Sequence, residues 1–144
     1  MAKKNLALLT VLAAAALSVT VTATPAQASA DKCVGDAHLS CVAVNGKNLH
    51  VNWIKSRVAP YSKLCVRGHS QVLINGSHYA DSNGGRDGDY CSKSIFGEKI
   101  TTDTWHVNRN YRRGTKICSK FWQYTGSGPV NGYRSLGTAC AKVG

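Results

Sequence analysis

Acid is scarce in this chain. Glu98 is its only glutamate, and Asp31, Asp36, Asp81, Asp87, Asp89 and Asp103 complete seven carboxylates against 18 lysines and arginines. Glycoside hydrolysis needs two carboxylates held on either side of a sugar. Asp103 and Glu98 are available for such a pair, but nothing in their spacing requires it, so lone turn or surface acids are expected. The sequence also lacks a Gly-rich phosphate loop, a strained G-x-S-x-G nucleophile elbow and any C-x-x-C pair. Those absences set aside nucleotide-binding, serine-hydrolase and thiolate-metal chemistry. The Asp81–Asp89 loop has the composition of a calcium loop but not its order. Counting Asp81 as the first position, Arg86 stands where the sixth must be Gly and Ser92 where the twelfth must be Glu. No metal and no cofactor are expected.

Only one long apolar run is present, over Leu6–Val21, and it is too short and wrongly flanked to span a bilayer. Lys3 and Lys4 precede it, and Ala28-Ser29-Ala30 supplies a small-residue cleavage site. Residues 1–30 therefore read as a secretory leader. Removing those 30 from 144 leaves 114 residues, and losing two lysines takes the formal charge from +11 to +9. One secreted domain over 31–144 is the expectation, with room for a single modest core.

All six cysteines lie in that domain, and an even count in an exported chain reads as three disulfides. Sequential pairing is preferred, Cys33–Cys41, Cys65–Cys91 and Cys118–Cys140, because each pair brackets a segment with turn signals. Helical periodicity is scarce and alternation is common. Leu49, Val51 and Trp53 alternate with His50 and Asn52. Along 115–124, Ile117, Ser119, Phe121 and Gln123 share one face, and Lys116, Cys118, Lys120, Trp122 and Tyr124 share the other. Asn45-Gly46 and Asn75-Gly76 read as hairpin turns. The predicted fold is all-β, a small disulfide-stabilised antiparallel sandwich or barrel.

Basic and aromatic residues carry the functional expectation. Arg109, Arg112, Arg113, Lys116 and Lys120 gather in sequence near Tyr111, Trp122, Tyr124 and Tyr133. Trp53, Trp105 and Phe121 are assigned to the core, and Trp122, Tyr124 and Tyr133 to a more exposed set suited to anchoring a partner. A ribonuclease is the enzymatic runner-up. Glu98 and His106 would supply acid and base, and Arg109, Arg112 and Arg113 the phosphate contacts; only under that alternative is nucleic acid a partner. A module held to anionic cell envelope by its charge is a further alternative. The segment Asp31–Ser40, tethered by Cys33 and Cys41, reads as a short arm available for insertion into a partner.

The segment from Asn108 to Cys118, a basic strand followed by a Gly-Thr turn and a cysteine, is joined by a closing Gly137-Thr138-Ala139-Cys140. This pattern resembles small exported Cys-rich β proteins of filamentous actinobacteria. Among these, the linking subunit of secreted antibacterial umbrella toxins is similar in size, export and cysteine use. That resemblance implies a non-catalytic adaptor joining a lectin-bearing subunit to a toxin-bearing one, with protein partners in an extracellular complex. It transfers no functional residue.

Overall fold

Alternation along the chain produces strands with one apolar face each, and such strands must bury that face against another sheet. The computed structural model describes residues 28–144; the leader assigned to 1–30 lies outside the described residues as far as residue 27. The strands are β1 (Ala30–Val34), β2 (His38–Lys47), β3 (His50–Pro60), β4 (Cys65–Ile74), β5 (Ser77–Asp81), β6 (Gly88–Cys91), β7 (Ile100–Asn110), β8 (Lys116–Tyr124) and β9 (Tyr133–Lys142). A single 3-10 turn, Ser82–Gly85, follows β5. Sheet A runs β1-β2-β3-β7, and sheet B runs β5-β4-β8-β9 with β6 pairing the first residues of β4. Every pairing is antiparallel. Of the two predicted architectures, this is the disulfide-stabilised sandwich.

The core is two apolar clusters divided by a band of hydroxyls. Val42, Val44, Val51, Ile54, Val72 and Ile117 belong to the larger cluster, and Val58, Val66, Tyr90 and Phe121 form the smaller. Between them Ser40, Ser56, Ser70 and Ser119 are fully buried. Ser56 Oγ and Ser119 Oγ are 2.6 Å apart, Ser40 Oγ donates to the Ser119 carbonyl, and Ser70 Oγ meets Thr102 Oγ1 at 2.8 Å. Each buried hydroxyl therefore has a partner, as burial demands. Their small size also lets the two sheets approach closely.

All three disulfides join residues directly opposite each other in neighbouring strands: Cys33 and Cys41 across β1–β2, Cys65 and Cys91 across β4–β6, and Cys118 and Cys140 across β8–β9. This is the sequential pairing expected from the sequence. Asn75 and Gly76, both at positive φ, make the two-residue β4–β5 turn, again as expected.

Three expectations are corrected. Asn45-Gly46 is no turn: β2 continues to Lys47, the register shifts there, and the hairpin turns on Asn48-Leu49. Gly46 is required because a Cβ at that bulge would meet the His50 carbonyl oxygen. The segment Asp31–Ser40 is not a free arm, since it builds β1 and the start of β2 and each residue of β1 pairs with β2. Trp53 is not core: it lies on the outer face of sheet A, with Lys55 Nζ 4.8 Å from its ring centroid. Val51 and Ile54 take the core positions instead, because β3 is irregular between Val51 and Trp53. Trp105 is half-buried and packs against the larger cluster, and Phe121 is fully buried.

Candidate functional site

The outer face of sheet B is built from β4, β8 and β9. On β8, Lys116, Lys120, Trp122 and Tyr124 point away from the core while Ile117, Ser119 and Phe121 are buried, matching the two faces read from the sequence. Opposite them on β4, His69 pairs with Trp122 and Gln71 with Lys120, while Tyr124 pairs with Tyr133 of β9. Lys120 Nζ sits 3.8 Å from the centroid of Trp122, and the Arg67 guanidinium 5.8 Å from that of Tyr124. Such cation–π contacts hold long side chains against the rings.

Asp87, just before β6, ties this face together. Its Oδ1 lies 3.0 Å from His69 Nδ1, and its Oδ2 accepts from the Tyr133 hydroxyl at 3.0 Å. Arg67 Nε approaches the same carboxylate at 4.0 Å. The Tyr133 ring packs edge-on against His69 and tilts against Tyr124. The hydrogen bond to Asp87 pushes the Tyr133 phenol above its ordinary pKa, with burial and the carboxylate's charge acting in the same direction. Beside this node lies a pocket of about 160 Å³ walled by His69, Trp122, Val130, Asn131 and Tyr133.

Arg109, Tyr111, Arg112 and Arg113 stand elsewhere, at the end of the sandwich where β7 gives way to β8. Arg109 stacks 4.7 Å from Tyr111 and 5.9 Å from Tyr79, and Arg112 and Arg113 are exposed. An open groove here is lined by Ile74, Asn75, Arg109, Asn110, Tyr111, Arg112 and Thr115. Lys116 begins β8 at this end, so the six residues to Trp122 and eight to Tyr124 separate the basic turn from the aromatic cluster by roughly 20–26 Å. The residues read as one surface thus occupy two. Among the described residues, Arg109, Arg112, Arg113, Lys116 and Lys120 have no carboxylate at ion-pair distance.

A third surface was not anticipated. At the opposite end, Phe96 is 87 % exposed, Tyr61 61 %, Ile95 55 % and Leu64 53 %. They sit on two loops, 61–64 and 92–99, held to each other by backbone bonds from Lys63 N to Ser94 O and from Ser92 N to Leu64 O. Cys65–Cys91 fastens the base of both loops. A groove of about 320 Å³ runs beside Phe96 between Leu39, Ala59, Pro60 and Tyr61. The Tyr61 backbone N–H donates to His38 Nδ1 at 3.3 Å. Burial and the nearby Arg134 charge lower the His38 pKa, which keeps that acceptor nitrogen unprotonated.

The ribonuclease residues do not converge. His106 is exposed on the outer face of sheet A opposite Trp53, while Glu98 precedes β7 and accepts from Lys93 N. Eight residues of nearly extended chain place them roughly 26 Å apart. The Asp103 carboxylate is likewise taken up by the backbone N–H of Asn83. In comparison with known proteins, the chain matches no family model, no curated protein and no solved structure. Among the described residues, no helix is long and apolar enough to cross a membrane.

Proposed function

We propose that this protein is a secreted, non-catalytic adaptor whose Phe96 end docks a partner protein, as a subunit of an extracellular antibacterial toxin complex. The observation that carries the reading is the exposure of Tyr61, Leu64, Ile95 and Phe96 side by side on loops braced by a disulfide. Large apolar groups grouped in this way cost solubility unless a partner covers them, and aromatic anchors supply most of the binding energy at protein interfaces. The charges around the patch support a protein partner over an anionic bilayer. Lys63, Lys93 and Lys99 are interspersed with Asp36 and Glu98, the mixed polar rim of a protein interface. The resemblance to linking subunits points in the same direction. The test is gentle isolation from the culture fluid of the producing organism. The reading expects the protein to migrate in a defined assembly well above the mass of a single 114-residue exported chain; recovery solely as free monomer contradicts it.

A second role is favoured by the basic end, whose arginines lack carboxylate partners among the described residues. There Arg109, Arg112 and Arg113 suit an anionic envelope polymer. Binding to whole cells that is lost at high salt and in Arg112→Ala/Arg113→Ala supports that role; salt-insensitive binding opposes it.

A further inference from the structure

Asp87 does more than one structural job needs. A single carboxylate, 12 % exposed in its side chain, fixes both a histidine on β4 and a tyrosine on β9. Between the two lies β8, with Trp122 opposite His69. The result is a pocket with three aromatic walls, of which His69 and Tyr133 are held by Asp87 before anything binds. His69 spends Nδ1 on Asp87, leaving Nε2 for a ligand. Asn131, at the tip of the 125–132 loop with φ 49°, adds an amide to the rim. Val130 closes it with apolar surface.

We infer that this pocket is a carbohydrate subsite that takes one sugar ring. A pyranose has an apolar C–H face that packs on Trp and Tyr rings, and an equatorial girdle of hydroxyls that needs planar donors and acceptors such as imidazole and carboxamide. Aromatic walls with a few convergent polar groups meet both needs. The volume of about 160 Å³ is that of about five water molecules, enough for one ring and too little for a folded peptide segment. Stacking alone would also suit a nucleobase. Electrostatics favours the sugar: Asp87 lies behind the pocket within 4.0 Å of Arg67, and Asp89 stands opposite Arg67 in the strand register, so the Arg67 charge is offset and a phosphate gains little from it. The site lies on the face of sheet B, apart from the Phe96 loops, and stands independently of the docking role proposed for them.

The test uses the purified exported protein on an immobilised array of bacterial surface oligosaccharides, with competition by free monosaccharides and by nucleoside 5′-monophosphates. The inference expects at least one glycan to bind. It also expects roughly tenfold weaker binding in Trp122→Ala, the size of effect one aromatic stack supports, and weakened binding in the milder variant Asn131→Ala. Trp53→Ala and Phe96→Ser retain it. A silent array, binding unchanged in both Trp122→Ala and Asn131→Ala, or displacement by nucleotides in preference to sugars overturns it.

Discussion

The Tyr133 hydroxyl donates to Asp87 at 3.0 Å, so a residue of the last strand reaches across β8 to the carboxylate that also holds His69. This contact spans 46 residues of sequence. It couples the 125–132 loop to the far side of sheet B. The bond also makes the stability of this face depend on pH at the alkaline end.

A phenol whose folded pKa lies above its unfolded value stabilises fully below the unfolded value, about 10, and loses that contribution as pH rises through the folded one. Tyr133 is raised, chiefly by its bond to Asp87. Urea midpoints of the native protein therefore fall between about pH 9 and about pH 12 more steeply than those of Tyr133→Phe. Parallel curves for the two proteins would remove Asp87 from this role.

At the acid end the relevant group is His38. Its pKa is lowered by burial and then by Arg134, so its contribution is complete above the ordinary histidine value of about 6.5 and is lost as pH falls through the folded value. Protonation also removes the acceptor for the Tyr61 backbone N–H. Relative to the intrinsic exchange rate, protection of the Tyr61 amide is expected to fall as pH drops below the ordinary histidine range, ahead of protection in β8. In His38→Gln that pH step disappears.

The buried serines give a stability prediction. Ser119→Ala leaves the Ser56 hydroxyl, fully buried and 2.6 Å from its present partner, without that bond. A loss of about 1–3 kcal/mol in unfolding free energy is expected. Ser119→Val costs more, because added volume meets a close sheet-to-sheet approach. Chemical denaturation of both variants measures the order.

Replacing Cys65 and Cys91 together by serine removes the fastening under the two apolar loops. Unfolding free energy is expected to drop by about 2–4 kcal/mol, and protease cleavage is expected first within 61–64 or 92–99. Cleavage first at the 125–132 loop would place the weak point elsewhere.

The all-β character and both faces of β8 were legible because period two is a local property, written within nine residues, whereas β1 was read as an arm and the start of β6 as part of a loop. The disulfides were legible for a related reason: each pair brackets a turn, and antiparallel neighbours then meet directly. The Asp87 node was not, since its partners lie 18 and 46 residues away and no local pattern marks them. Trp53 misled because the irregularity beside it shifts the alternation by one residue and sends the indole outward. The Phe96 end left one unused signal. Ile95-Phe96 stands between Ser94 and Gly97, with no alternation around it and so no strand to turn both side chains inward.

Docking through Phe96 is the central claim, and site-specific photocrosslinking tests it most directly. Phe96→p-benzoylphenylalanine and, in parallel, Tyr79→p-benzoylphenylalanine are produced in the native host and irradiated in culture fluid. The account predicts one discrete covalent adduct to a protein from position 96 and none from position 79. No adduct at 96, or equal labelling from both positions, contradicts it.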